Sequence, residues 1–429
     1  MEVSFYGGAG EVGRSSIEVF GDKKHLLLDC GIKLGAETEV PQINDALFAR
    51  SKNIVITHAH LDHIGYLPHL FERGQSPALY ATKPTFALME LLLDDYWRIS
   101  GSFSKKTVKR VMNAGRIIPF LKKVKEKHAP SFSLHNAGHI LGSAMVEVFD
   151  GGGLIYTGDF RLREGRLMQG CERRMRAKTL IMEGTYGAKM DKLPSIRRAS
   201  SDLANSVRRT LEGGGSVLIP SFAVGRGQEI MLVLEDYMRS GFLPAVPIYV
   251  DGMIRKANAI YSKYTDFLRP ELHRRTNKSM DNPFESRFFF SPKKQNRAKM
   301  LEEPSIIIST SGMLSGGPAL EYLRLMAGNK KNKLIFVGYQ AEGTLGRRIQ
   351  DGEKFVLLDG EECYISLDVE SVHFSAHADH DDLVEFARGM RGLKKIFLVH
   401  GEEAKLHELM ADLKNFEVII PEISETFKV

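Results

Sequence analysis

Short apolar runs that break off on a polar residue recur along this chain: Leu26-Leu27-Leu28-Asp29, Ile54-Val55-Ile56-Thr57, Leu154-Ile155-Tyr156-Thr157-Gly158-Asp159, Leu180-Ile181-Met182-Glu183 and Ile396-Phe397-Leu398-Val399-His400. Runs of this length and composition read as buried strands. Most stop on Asp, Glu or His where the chain leaves the sheet, which is where open α/β sheets place their ligand-binding and catalytic groups. The pattern predicts one site fed by many strand ends.

From about Gly187 to about Val372 the texture changes. Longer helical patterns, Ser200 to Leu211 and Gln228 to Met238, alternate with the strand-like runs Val217 to Pro220, Ile248 to Val250, Ile306 to Ser309 and Leu334 to Val337. Alternating strand and helix implies a second, Rossmann-like α/β unit. A chain of 429 residues, 43% hydrophobic, is long enough for two or three domains. No run is long and apolar enough to span a bilayer and the first residues carry no leader pattern, so a cytoplasmic location is the expectation.

Gly8-Ala9-Gly10-Glu11-Val12-Gly13 matches the dinucleotide-binding GxGxxG pattern. A dinucleotide site needs a helix next. Instead Ser16-Ile17-Glu18-Val19-Phe20 alternates like a strand, and the chain then turns at Gly21-Asp22. The stretch therefore reads as a glycine-rich hairpin.

Thr57-His58-Ala59-His60-Leu61-Asp62-His63 comes directly after a buried strand. Alternate residues of extended chain point the same way, so His58 and His60 can close on one metal, and the next turn carries Asp62 and His63 toward a second. Further candidates stand at other strand ends: His139, Asp159 and His400. Each of these alone could equally cap a turn or sit in a core. The three cysteines, Cys30, Cys171 and Cys363, are far apart and lack CxxC spacing, so any metal is held by imidazole and carboxylate, a set suited to zinc, with manganese as the other candidate. Lys+Arg 59 against Asp+Glu 53 gives a net charge of +6, compatible with a polyanionic partner without requiring one. Basic groups cluster at Lys105 to Arg110, Lys122 to Lys127, Arg173 to Lys178, Lys293 to Lys299 and Lys330 to Lys333, each of which taken alone reads as a solvated face.

Asp29, the His58 to His63 cluster, His139 and Asp159 stand in the order and context of the metallo-β-lactamase superfamily motifs. Glu183 in Met182-Glu183-Gly184-Thr185-Tyr186-Gly187, His377 in Phe374-Ser375-Ala376-His377-Ala378-Asp379 and His400 in Val399-His400-Gly401-Glu402 resemble three further motifs of the beta-CASP nucleases. The similarity spans nearly the whole chain and is greatest with the cleavage and polyadenylation specificity factor group, especially its short archaeal members. The N-terminal KH-type modules of the longer archaeal members are expected to be missing. His400 resembles the RNA-processing branch, where the DNA-processing branch usually has valine.

The resemblance implies an α/β fold, a metallo-β-lactamase αββα sandwich with an inserted Rossmann-like beta-CASP α/β domain. Its first part would span residues 1–187, the insert 188–372 and the second part 373–429. It implies Zn2+, two per chain: His58, His60 and His139 on one ion, Asp62, His63 and His400 on the other, Asp159 bridging, and Asp29 behind a ligand histidine. By the same resemblance Asp62 is also catalytic, and His377 is the general acid with Glu183 holding its imidazole. RNA is the implied partner and substrate, cut internally or trimmed from the 5′ end, and a homodimer is one assembly open to such a chain. Ser375, Gly312, Arg226 and Arg347, with Arg348 beside it, are candidate substrate contacts. The competing reading is a small-ester or thioester hydrolase of the same fold, which would need neither the second α/β unit nor the Glu183/His377 pair.

Overall fold

The computed structural model describes residues 1–35, 37–358 and 360–429. The chain divides into two compact units, one of Met1–Glu164, Gln169–Lys192 and His377–Val429, the other of Gly165–Met168 and Leu193–Ala376.

Two seven-stranded sheets build the first unit. One runs in the order Thr426–Lys428, Glu2–Gly7, Ser16–Gly21, Lys24–Leu28, Asn53–Val55, Ala78–Ala81, Gly115–Ile117. The other runs Glu417–Ile419, Lys395–Val399, Thr179–Glu183, Leu154–Tyr156, Ala144–Val148, Ala129–Asn136, Val124–Glu126. Glu2–Gly7 and Ser16–Gly21 pair antiparallel, so the glycine-rich stretch is a hairpin loop. Gly8, Gly10 and Gly13 in it adopt positive φ, which glycine accepts without steric cost.

Strand alternation sorts the apolar side chains into layers. Phe5, Ile17, Leu28 and Val55 of the first sheet share a core with Phe132, Val146, Tyr156, Ile181 and Phe397 of the second. Their neighbours Ile155, Leu180, Met182 and Leu398 take the opposite face and pack on Leu383 and Phe386 of helix His380–Gly389 and on Leu406 and Leu409 of helix Glu403–Asp412. Each fully buried side chain of this size contributes roughly 1.5–3 kcal/mol. Helices Lys83–Ser100 and Lys105–Asn113 belong to the first sheet's side and bury Leu88, Met89, Leu93, Val108 and Val111. This is the αββα sandwich. Strands Leu154–Tyr156, Thr179–Glu183 and Lys395–Val399 are parallel and in register, with Tyr156 level with Ile181 and Phe397, and Glu183 level with Val399. Asp159, Glu183 and His400 consequently leave the sheet at the same edge.

The second unit is built on a six-stranded, all-parallel sheet in the order Phe289–Phe290, Ile248–Asp251, Ile306–Ser309, Val217–Pro220, Lys333–Phe336, Asp368–Ser371. Continuous apolar strands such as Ile306-Ile307-Ile308 suit a sheet covered on both faces. Helices Pro318–Met326 and Leu345–Gln350 and the hairpin Phe355–Leu358/Glu361–Tyr364 close one of those faces through Tyr322, Leu323, Ile349, Val356 and Leu358. No helix among the described residues is long and apolar enough to cross a membrane.

Candidate metal centre

Among the described residues three groups of donor atoms share Asp159 at the strand ends of the first unit: Glu183 and His377 complete one with it, and the other two hold four residues each. His58, His60, His139 and Asp159 form one; Asp62, His63, Asp159 and His400 form the other. The strand Asn53–Val55 delivers His58 and His60 on extended chain, and the short helix Leu61–Ile64 carries Asp62 and His63. His58 Nε2 and His139 Nε2 each lie 3.2 Å from His60 Nδ1. Asp159 faces both groups: its Oδ2 is 3.5 Å from His58 Nε2, while its Oδ1 is 3.4 Å from His63 Nε2 and 3.7 Å from His400 Nε2.

The ring nitrogens that point away from this focus are held from behind. Asp29 accepts from His63 Nδ1 at 2.7 Å, from Thr57 Oγ1 at 2.8 Å, from the Thr57 amide at 2.8 Å and from Tyr156 Oη at 3.0 Å. Ser15 Oγ stands 2.8 Å from His400 Nδ1, and the Ser15 amide donates to the Asp62 carbonyl at 2.9 Å. Such contacts fix the tautomer and leave Nε2 as the donor to a metal. Asp29 and His400 both adopt positive φ, 60° and 49°. Strain of this kind costs on the order of 1–3 kcal/mol per residue and concentrates at functional sites. At Gly31 an added Cβ would fall 1.7 Å from the Asp62 carbonyl oxygen, so only glycine lets the Cys30–Gly31 turn pass beneath the helix that carries Asp62 and His63.

The electrostatics match the donor chemistry. Burial and then the charge of His63 hold the His58 imidazole well below its usual pKa, and burial lowers His60 too, keeping both neutral as metal ligands require. Burial opposes protonation of His63, yet Asp159 and Asp29 outweigh it and push His63 well up. Asp159 is held well below the carboxylate range: burial works against this, but His400 and His63 prevail. Asp159 and Asp29 thus favour a positive charge beside them, while burial disfavours one on His58 and His60. Among the described residues His63 Nε2 and Asp159 Oδ1 are buried without a hydrogen-bond partner although they face each other. Buried polar atoms are normally paired, and a cation between these donors satisfies both. The residues present therefore fit a pair of metal ions of the zinc type.

One side of the focus is open: Asp62 is 31% exposed and His377 21%, while His63 and His58 are fully buried. His377 Nδ1 lies 3.0 Å from each oxygen of Glu183. That carboxylate also accepts from the Phe160 amide at 2.9 Å and from Thr185 Oγ1 at 2.6 Å, so its plane is fixed. The Ala378 amide donates to the Phe160 carbonyl at 2.7 Å, tying the His377 segment to the residue after Asp159. Burial works against a charged His377, but Glu183, with Asp159 and Asp62 behind it, carries the imidazole up to about 9. Its ring packs edge-on to His139, centroids 4.5 Å apart.

The remaining candidates lie in the second unit. Arg226 is buried, ion-paired with Glu229 and set over the Phe374 ring. Arg347 is exposed and bonds Asp351 at 2.8 Å, and Arg348 bonds Glu353 at 2.7 Å. The Gly312 carbonyl accepts from Gln340 Nε2 at 3.0 Å, and Ser375 is buried. Sequence reasoning missed Ser15, Thr57, Thr185 and Tyr156, which hold the donors and Glu183 in place. Only Thr57 and Thr185 carried a local signal, as neighbours of His58 and Glu183.

A fold of this kind, with two donor groups bridged by one aspartate, defines a metallo-hydrolase. The model for the Metallo-beta-lactamase superfamily matches residues 9–212, that for the Beta-Casp domain residues 227–349, and that for the Zn-dependent metallo-hydrolase RNA specificity domain residues 364–421. The chain belongs to the beta-CASP metallo-hydrolases of the metallo-β-lactamase superfamily. It is 41% identical to "Transcription termination factor FttA" of Methanocaldococcus jannaschii over 94% of this chain and 67% of that protein. The protein of the same name from Methanothermobacter thermautotrophicus is 39% identical over 95% of this chain and 68% of its own length. A crystal structure of a protein of unknown function from Enterococcus faecalis shares the fold, with a TM-score of 0.61 and 16% identity over 99% of each chain.

Proposed function

We propose that this chain is a zinc-dependent ribonuclease that hydrolyses phosphodiester bonds. The observation that carries the reading is the shared Asp159: two donor groups meet on it, and on their open side stands an imidazole held by a carboxylate. Zinc ions held by His58, His60 and His139 and by Asp62, His63 and His400, with Asp159 between them, would lower the pKa of a water from about 15.7 toward ~7 and offset phosphate charge.

The chain's own residues do the rest. Asp62 and His60 line the open side where a phosphodiester can enter. Glu183 engages Nδ1 of His377, which leaves Nε2 as the proton donor. As hydroxide, its proton already lost to solvent, adds to phosphorus and the bond to the departing ribose oxygen breaks, Nε2 delivers its proton to that oxygen. A positioned acid of this kind contributes typically 10²–10⁴-fold. A small ester or thioester gains little from an acid placed for a poor alkoxide leaving group, and the Glu183–His377 pair favours the nuclease. Two relatives are named transcription termination factors, and we take the RNA acted on to be a transcript.

Elemental analysis of the gently purified protein should return close to two zinc ions per chain, and the protein should cut a single-stranded RNA while sparing a thioester. One metal or none, with no RNA cleavage gained on adding zinc or manganese, overturns the reading. A circular RNA decides the mode, since only internal cutting can open it.

A further inference from the structure

On one side of the first unit both sheets end in a short strand, Gly115–Ile117 for the first sheet and Val124–Glu126 for the second. Arg116, Lys122, Lys123, Lys125 and Lys127 are all exposed on and between these strands, with Ile117 at 55% and Leu121 at 70% exposure beside them. Elsewhere single members of basic runs are bound internally: Arg173 pairs with Glu385, Arg297 with Asp251 and Glu321, and Lys333 with Asp368 and Glu370. Here Lys122, Lys123, Lys125 and Lys127 form no ion pair among the described residues, and Glu126 is the one acid of the stretch, engaged by Arg116 at 2.9 Å. Lys123 Nζ sits 3.8 Å from the Phe149 ring centroid, which steadies one lysine without neutralising it.

Val124 is buried and Glu126 half-buried, while Lys125 on the strand, Lys123 just before it and Lys127 in the turn after it are exposed, so the lysines gather along this edge. The edge also leads somewhere. Val124–Glu126 pairs with Ala129–Asn136, and the Leu121 amide donates to the Leu134 carbonyl at 2.8 Å. Leu134 is five residues before His139, a reach of at most about 18 Å. Lysines on an edge strand also keep it from pairing with another chain, so the test must separate the two roles.

We propose that this basic edge is a binding track for single-stranded RNA, which holds a stretch of the substrate outside the metal centre and leads it toward His139. Charge complementarity selects the ligand: a cluster of exposed lysines with apolar surface alongside suits a phosphate backbone with bases laid against Ile117 and Leu121. The proposal rests on the ribonuclease reading for the substrate's identity.

The test compares wild type with two quadruple variants, Lys122, Lys123, Lys125 and Lys127 changed all to Gln or all to Glu. Glutamates guard a strand edge as well as lysines do, so both proteins should remain folded, metal-loaded and free of aggregation. Binding of a long single-stranded RNA should weaken, and the slope of log affinity against log salt should fall by about 3 in the Gln variant, from roughly 0.7 for each phosphate no longer neutralised. kcat/KM should drop on the order of 10-fold or more on the long RNA and stay at the wild-type value on an oligomer too short to reach from His139 to the edge. Equal slopes, or equal losses on long and short RNA, overturn the track. So does an edge that binds an acidic peptide in preference to RNA. If the wild type cuts no RNA at all, the ribonuclease reading has failed, and the binding slopes still decide the track separately.

Discussion

The donor cluster of the first unit and the buried ion pairs of the second treat polar groups in opposite ways. In the first, His58, His60, His63, His139, His400, Asp62 and Asp159 turn their donor atoms toward one another, and two of those atoms, His63 Nε2 and Asp159 Oδ1, have no hydrogen-bond partner among the described residues. In the second, buried charge closes on itself: Glu235 accepts from Arg239 and twice from Arg275, Arg226 meets Glu229, and Lys333 bridges Asp368 and Glu370. Converging donors without partners are unfavourable unless a ligand completes them, whereas closed pairs are complete as they stand. Damage to the first unit's cluster should therefore appear in chemistry, and damage to the second unit's pairs in folding.

The largest effect is expected from Asp62→Asn. The amide keeps the shape but loses the charge that a metal pair needs, and several kcal/mol of transition-state stabilisation go with it, on the order of 10³-fold or more in rate. Thermal melting of the metal-free protein should barely move. A variant that cuts RNA at the wild-type rate would remove Asp62 from the donor set.

His377→Ala separates the proton donor from the metal donors beside it. Elemental analysis should find the metals retained, because His377 meets the donors through the His139 ring and through Glu183. The rate should fall on the order of 10²- to 10⁴-fold. An RNA with sulfur at the scissile bridging position departs as a thiolate and needs no proton, so the variant should recover most of its rate on that substrate while Asp62→Asn should not. Equal impairment on both substrates would falsify the acid role and assign His377 to positioning the phosphate.

Legibility in the chain obeys the same division. His58 and His60 occupy one strand end, where period-two geometry turns them the same way, and the next turn carries Asp62 and His63 beside them. Asp159, Glu183 and His400 were readable because each ends an apolar run, and three in-register parallel strands deliver them to one edge. Ser15 was not readable. Its contact with His400 spans 385 residues and depends on positive-φ backbone at both Gly8 and His400, which no local pattern announces. The second unit's fold was legible from alternating strands and helices, but its arginines were not. A lone arginine in a helical pattern carries no mark of whether it meets a phosphate or, like Arg226, an acid one turn along.

The smallest effect sharpens the comparison from the other side. Glu235 is fully buried on helix Arg226–Arg239, and its carboxylate receives Arg275 Nη1 at 2.8 Å, Arg275 Nη2 at 2.6 Å and Arg239 Nε at 2.6 Å. Arg275 keeps a second partner, Asp281 at 2.9 Å, and is 20% exposed, while Arg239 is 46% exposed. Removal of a buried acid usually costs about 3–5 kcal/mol because a charge is left alone, but here solvent and Asp281 take up much of it, so Glu235→Ala should cost about 1–3 kcal/mol. For a unit of this size each kcal/mol lowers Tm by about 2–4 °C. Metal content should be unchanged, and the rate per folded molecule should stay within a factor of about two, since the expected loss lies in folding and not in transition-state binding. If Glu235→Ala instead melts normally and loses RNA cleavage, the second unit's closed pairs are part of the chemistry, and the division between the units does not hold.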